Sequence, residues 1–344
     1  MEAGVALSRG FEIGGVKIGG GAPCAVIAEA GVSHFGDIDK AEQLVALAAN
    51  ANATFFKTQH FKTDTLIGPE SPEWRNRLRS RELPDEAISH MKACCDERGI
   101  PFLCTPHDQV ALDFLDHELN VDAFKVGSGE VENWPFIAEI ARRGKPMIVS
   151  TGMYSIDQIK EMIDVVRDNG APPLAILHCV TAYPANPDSI NLNVMSAIRS
   201  FFDGPVGYSD HTEGSAVPLA AVALGAEIIE KHITIDKNVP NAQDWRVSCD
   251  PEDFPTFVKD IRTIESALGD GNKQMSDAEY KSIDWARKSI TAKIDLQSGT
   301  VIEENMVIGQ RPGHGLPMSQ LSELIGKRLK VDVSAGTVII KSMF

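Results

Sequence analysis

The 344-residue sequence predicts an α/β protein: a (β/α)8, or TIM, barrel followed by a small β-rich domain. Three observations carry this prediction. Eight short runs rich in Val, Ile, Ala and Phe recur within about 250 residues, each trailed by a longer amphipathic stretch. The runs are almost continuously apolar, as suits strands buried on both faces of a parallel sheet. No Gly-x-Gly-x-x-Gly opens a helix after the first run, so the alternative doubly wound sheet lacks its phosphate fingerprint.

In chain order, a Gly-rich alternating stretch at 11–20 predicts a small hairpin ahead of the barrel. Strands are expected at 24–30, 53–58, 101–105, 122–126, 146–150, 174–178, 205–209 and 227–232. Helical patterns fall at 38–49, 84–98, 109–118, 156–169 and 213–224, with a final helix at 251–268. Several strands follow Gly-Ile-Pro, Gly-Lys-Pro or Gly-Pro, the helix-stop chemistry of an αβ loop. Residues 269–282 are polar with little periodicity and read as linker. From 286 onward come short β-like pieces at 289–292, 300–302, 331–333 and 337–340. The expected domains are therefore 1–270 (barrel), 271–285 (linker) and 286–344. A domain of roughly 60 residues has a marginal core of its own and is expected to lean on the barrel or on a second chain.

Composition narrows the function. Apolar residues make up 43% and charged residues 24%, as in ordinary globular proteins. Thirty-three Lys and Arg face 48 Asp and Glu, a net charge of −15, which repels nucleic acid and anionic membranes. An anionic ligand would need positive groups gathered locally. The first ten residues lack the basic-then-apolar pattern of a signal peptide. The most apolar stretch, 216–229, is too short to span a bilayer. Six cysteines show no CxxC spacing, so reduced thiols in a cytoplasmic protein are expected.

Active-site groups of such barrels sit at the C-terminal ends of the strands. There the sequence places Glu29, Lys57, Thr105, Lys125 with Ser128 and Glu130, Ser150 with Thr151, His178 with Thr181, Ser209 with His211, and Glu230 with His232. A barrel needing only stability has no reason to gather two lysines, two glutamates and several hydroxyls at one rim, so an enzyme is expected. Lys57 and Lys125 each end a hydrophobic strand, where desolvation is costly unless an anion pairs with them. Phosphate held as by a point charge, assisted by the N–H groups of the Gly127–Gly129 turn, is one reading; a Schiff-base lysine is another. His211 and His232 end neighbouring strands, with Asp244 in the next loop, and are candidates to share a divalent metal. His60, His90, His107, His117 and His314 read as ordinary loop or surface residues. Trp245 lies in a candidate active-site loop.

Ile27-Ala28-Glu29-Ala30-Gly31, Phe56-Lys57-Thr58-Gln59, Cys104-Thr105-Pro106, Lys125-Val126-Gly127-Ser128-Gly129-Glu130, Ser150-Thr151-Gly152-Met153, Gly207-Tyr208-Ser209-Asp210-His211-Thr212 and Glu230-Lys231-His232 together resemble the sialic acid synthase (N-acetylneuraminate synthase) family. Ala286-Arg287-Lys288-Ser289 and Arg311-Pro312-Gly313 are similar to that family's antifreeze-protein-like (SAF) domain. The resemblance implies condensation of phosphoenolpyruvate with an open-chain N-acyl hexosamine to give a nonulosonic acid and phosphate. It implies a divalent ion, Mn2+ or Mg2+, held by His211 and His232 and polarising the sugar aldehyde. Lys57, Thr105, Lys125, Ser128, Ser150 and Ser209 would hold carboxylate and phosphate, with Glu29 and Glu130 moving protons and positioning water. Glu230 and Tyr183 would line the same site. Arg311 would reach the sugar's acyl group from a partner subunit in a domain-swapped homodimer.

Three departures from the family pattern fall on the sugar side. Asn-His-Asn-Gly is here Ser33-His34-Phe35-Gly36, a loop position commonly Asn is Thr181, and Gly-Pro-Asp-His is replaced by Asn241-Ala242-Gln243-Asp244-Trp245-Arg246. They point to an acceptor other than plain N-acetylmannosamine, a deoxygenated or more acylated hexose. Two alternatives stay open: a synthase of octulosonate or heptulosonate type, and a non-catalytic carbohydrate-binding protein.

Overall fold

The computed structural model describes residues 9–238 and 244–344. The signal-peptide reading of the N-terminus and the departure at 241–243 fall largely outside these residues. The chain divides into two compact units, one ending at Gly269 and the other beginning at Asp270.

The first unit opens with an antiparallel hairpin, β1 (Gly10–Ile13) and β2 (Val16–Gly19). Eight parallel strands then close a barrel in chain order: β3 (Ala25–Gly31), β4 (Phe55–His60), β5 (Phe102–Pro106), β6 (Phe124–Val126), β7 (Met147–Ser150), β8 (Leu174–Cys179), β9 (Val206–Asp210) and β10 (Ile228–His232), with β10 pairing back to β3. All eight lie where the apolar runs predict them, within two residues at either end. Seven begin one or two residues later than predicted, three of them because the leading Pro101, Pro146 or Pro205 belongs to the turn.

Helices α1 (Ile38–Asn50), α2 (Thr63–Leu66), α3 (Pro72–Arg79), α4 (Asp85–Arg98), α5 (Gln109–Asp113), α6 (Trp134–Arg142), α7 (Ile156–Asp168), α8 (Val194–Arg199), α9 (Ala216–Ala223) and α10 (Asp253–Leu268) follow the strands. The helix expected at 109–118 changes to a wider π turn at Phe114–Glu118. Caps fix several starts: Asp37 accepts from the N–H groups of Asp39 and Lys40, and Ser155 with Gln158 forms a capping box. Gly99, at φ 65°, ends α4 in the left-handed region.

Alternation along the strands sorts side chains into layers. Outward residues such as Val26, Phe56, Phe124 and Ile176 pack against the helices. Inward, Ile27, Phe55, Leu103, Ala123, Ile148, Leu177 and Ile228 form an apolar floor with Ile13 and Ile18 of the hairpin. Gly207 completes this layer, since a Cβ there would lie 2.2 Å from Ile228 O. Each buried large apolar side chain contributes roughly 1.5–3 kcal/mol.

In the second unit, α11 (Asp277–Ala286) occupies residues read as linker; Ser276 and Glu279 close a capping box at its start. Polar composition masked this helix, and its cap carried the only signal. β11 (Ser289–Ala292) pairs antiparallel with β12 (Val307–Gln310). The pieces expected as strands at 300–302, 331–333 and 337–340 make single bridges instead, such as Leu296 with Val333 and Thr291 with Val338. Ile290, Ile302, Leu324, Leu329 and Ile339 form the unit's core. Among the described residues no helix is long and apolar enough to cross a membrane.

Candidate active site

Two residues beyond the apolar floor, every strand points one polar side chain inward: Glu29, Lys57, Thr105, Lys125, Ser150, Cys179, Ser209 and Glu230. All eight line one cavity of about 360 Å³ at the C-terminal end of the barrel. Lys57 Nζ lies 2.7 Å from Glu29 Oε2 and 3.8 Å from Glu230 Oε2, and donates to Thr105 Oγ1 at 3.3 Å. Lys125 Nζ donates to Ser150 Oγ at 2.7 Å and lies 3.6 Å from Glu230 Oε1, which accepts from Ser209 Oγ at 2.9 Å. The ring thus holds two cations and two anions, all buried.

Burial separates the two carboxylates. It raises the pKa of Glu29, against the pull of Lys57 and with help from Glu230. For Glu230 burial acts the same way, but Lys125 and Lys57 outweigh it and hold the pKa below the usual value. Burial likewise lowers Lys125, while for Lys57 it is outweighed by Glu230 and Glu29, which raise it. The two carboxyls are thus pushed in opposite directions, Glu29 toward holding a proton and Glu230 toward staying ionised, the kind of separation that acid and base roles use.

A second tier lies nearer the mouth. The rings of His211 and His232 are 5.3 Å apart, and Tyr183 packs 4.0 Å from His211 and edge-on to His232 at 5.8 Å. Asp244 Oδ2 is 3.7 Å from His232 Nδ1. His211 Nδ1 is 2.7 Å from Val180 O, which accepts only if that nitrogen carries the proton, so Nε2 is the nitrogen left to face a ligand. Burial, reinforced by His211 and Lys57, holds His232 well below the ordinary histidine pKa, so it is neutral. His232 Nδ1 and Asp244 Oδ1 are buried with no hydrogen-bond partner. Two imidazoles and a carboxylate, with one orphaned polar atom on His232 and one on Asp244, suit a divalent cation. A different trio, Glu42, His90 and Cys94 on α1 and α4, is the three-donor group close enough to seat an ion among the described residues. It lies on other elements than the histidine pair and does not line the cavity.

Thr181, Tyr183, Ser128 and Asp244 also line the cavity. Ser128 Oγ accepts from the N–H of Gly152 at 2.9 Å, and a Cβ on Gly152 would fall 2.8 Å from that oxygen and 2.1 Å from Thr181 Oγ1. Gly152→Ala is therefore expected to displace both hydroxyls and raise KM for an anionic substrate about tenfold, equivalent to the 1–3 kcal/mol typical of overpacking. Steady-state kinetics check this.

Three residues singled out from the sequence do not line the cavity. Glu130 is buried but does not line the cavity: the turn Ser128–Glu130 aims Ser128 inward and gives the Glu130 carboxylate to Asn133 Nδ2 at 2.6 Å. His178 points outward, its Nε2 2.6 Å from Ile190 O. Trp245 is half-exposed against Arg246, which pairs with Glu213, and does not reach the cavity. Arg311 belongs to the second unit, where its Nε donates to Ala286 O.

Other residues were not foreseen. Gln59 donates to Glu29 Oε1 at 2.8 Å and faces His107 Nε2 at 3.3 Å. His107, expected to be an ordinary loop histidine, lines the cavity, with its pKa lowered to about 4 by burial and then by Lys57. Cys179 supplies the eighth ring position. Position two beyond Lys57 marks Gln59 in the sequence; nothing marks His107. The apolar lining, Val32, Phe61, Leu66, Ile67, Trp74 and Leu78, was also unforeseen.

Residues 44–273 match the NeuB family, and residues 287–344 match the SAF domain. An N,N'-diacetyllegionaminic acid synthase of Legionella pneumophila is 38% identical over 96% of this chain and 97% of its own length. The N-acetylneuraminate-9-phosphate synthase of Homo sapiens is 34% identical over 95% and 94%. The crystal structure of an N-acetylneuraminic acid synthetase from Leptospira borgpetersenii, in complex with citrate, superposes with a TM-score of 0.75 at 33% identity, covering 81% of this chain and 96% of that one. With its barrel, its polar ring and these relatives together, the chain belongs to the NeuB family of enzymes.

Proposed function

We propose that the protein condenses phosphoenolpyruvate with an open-chain N-acyl hexosamine, giving a nonulosonic acid and inorganic phosphate. The observation that carries this is the eight-member polar ring, with two lysines among hydroxyls at the base and two histidines above. Lys57 and Lys125 hold the carboxylate and phosphate, and Thr105, Ser128, Ser150 and Ser209 donate to their oxygens. Carbon 3 of phosphoenolpyruvate bonds to the aldehyde carbon, water adds at carbon 2, and the C–O bond to phosphate breaks. Glu29 takes a proton from the adding water and passes one to the oxygen of the former aldehyde, and the water's second proton leaves with the phosphate. Glu230 keeps both lysines charged and anchors Ser209. A divalent ion on His211 and His232, Mn2+ or Mg2+, would supply Lewis-acid polarisation of the aldehyde.

In this reading Arg311 comes from the second unit of a partner chain in a domain-swapped homodimer. The six free, buried cysteines support a cytoplasmic setting. Beyond the ring, the described cavity lining contains no Lys or Arg, which disfavours an acceptor that is itself a sugar phosphate.

Incubation with phosphoenolpyruvate, 2-acetamido hexoses and Mn2+ is expected to release phosphate one-for-one with a nine-carbon keto acid. Chelator treatment stops the reaction and Mn2+ restores it. Raised ionic strength increases KM for phosphoenolpyruvate more than KM for the neutral acceptor. No phosphate release with any acceptor, or equal salt effects on both constants, contradicts the proposal.

A further inference from the structure

The helices that follow β3 and β4 carry a cluster that the condensation does not use. On α4, His90 and Cys94 stand four residues apart, so the helix stacks them on one face. That face meets α1, which packs alongside and presents Glu42. His90 Nε2 lies 2.5 Å from Glu42 Oε1 and 3.6 Å from Cys94 Sγ, and the three donor atoms all fall within 4.8 Å of one another. Cys94 is buried, while Glu42 and His90 are each a little under half exposed.

These separations come close to those of a metal site. A zinc ion bonded to sulfur at about 2.3 Å, and to nitrogen and oxygen at about 2.0–2.1 Å in tetrahedral directions, holds its donors about 3.4–3.6 Å apart. The sulfur–nitrogen pair already has that spacing. The carboxylate oxygen has to withdraw from the imidazole by about 1 Å to match it, which a partly exposed glutamate does readily. Burial and then Glu42 raise the Cys94 thiol, so without an ion it keeps its proton, although Arg98, whose Nη1 donates to Cys94 O at 3.3 Å, pulls the other way. When an ion bonds to the sulfur, the thiol proton passes to solvent. A thiolate beside an imidazole selects softer divalent ions over Mg2+ and Mn2+.

We propose that Glu42, His90 and Cys94 form a binding site for Zn2+ or a similar thiophilic divalent ion, with water as the fourth ligand. The ion clamps α1 to α4. The site stands apart from the ion at His211 and His232 and does not depend on the proposed reaction.

The probe is Co2+, whose bond to a thiolate gives a charge-transfer absorption that carboxylate and imidazole ligands alone do not. Cys179 Sγ lies 3.7 Å from His211 Nδ1, so the titration is run on the full chain both as the parent and as His211→Ala, which removes that neighbour. One Co2+ per chain is expected to produce the band in both proteins, and Zn2+ displaces it where Mn2+ does not. In the His211→Ala background, Cys94→Ser abolishes the band. Loss of even an outer partner of a metal ligand weakens binding about 10–100-fold, so His90→Ala is expected to weaken Co2+ binding by more than about 100-fold and Glu42→Gln by about tenfold or more. Zn2+ raises the thermal midpoint in that background and not in its Cys94→Ser or His90→Ala derivatives. Should Cys94→Ser fail to fold, the partly exposed His90 and Glu42 positions decide. No band, a band that survives Cys94→Ser, or His90→Ala affinity within about tenfold of its background overturns the site and leaves the condensation untouched.

Discussion

Replacing His211 or His232 with Ala is expected to reduce turnover by about 10³-fold or more. Loss of the Lewis acid removes several kcal/mol of transition-state stabilisation, and each 1.36 kcal/mol is a factor of ten. The same variants are expected to lose Mn2+ binding in calorimetric titration while keeping the thermal transition of the parent, since both side chains line a cavity. Mn2+ affinity within tenfold of the parent would remove the histidine pair from the ion site. His178→Ala is the matched control: it sits one residue from the ring position Cys179 but faces outward.

The second large effect concerns stability. Lys231 Nζ lies 2.5 Å from Asp210 Oδ2 and donates to Thr212 O at 2.8 Å, with both side chains buried. Asp210 Oδ1 also accepts from Tyr208 OH at 3.0 Å and from Thr212 Oγ1 at 2.8 Å. Asp210→Ala leaves the Lys231 charge in the barrel wall without its partner, which costs about 3–5 kcal/mol. Urea unfolding of the intact chain measures this as a lowered midpoint. Because Asp210 and Lys231 immediately precede His211 and His232, the pair also locks the two histidine-bearing strands in register. Mn2+ affinity is therefore expected to fall in Asp210→Ala as well. A midpoint shift under about 1 kcal/mol would show that the pair contributes little net stabilisation.

The barrel was legible because eight apolar runs leave few other folds, and the ring was legible because charges at the end of such runs need a reason. Lys57, Lys125, Glu29 and Glu230 announced themselves in this way. Glu130 carried the same signal and turned away, because a three-residue turn decides direction and composition does not register it. The apolar lining was illegible for the opposite reason: Phe61, Leu66 and Leu78 look like ordinary core filling, and α2 and α3 are too short to show periodicity. Helix α11 was hidden by its polar faces. Cys179 was read as an inert core thiol, since residue type alone does not tell which face of β8 it occupies.

The hairpin at the other end of the barrel has a consequence for traffic. Ile13 and Ile18 join the apolar floor and cover it on the hairpin side. On the proposed chemistry, reactants and products share the C-terminal mouth of the barrel, beside the histidine tier. Whatever binds at the ring must then arrive before the molecule that sits above it, and leave after it. This imposes a queue: the small anion enters first, the sugar closes over it, and the nine-carbon product clears the mouth before the detached phosphate can follow.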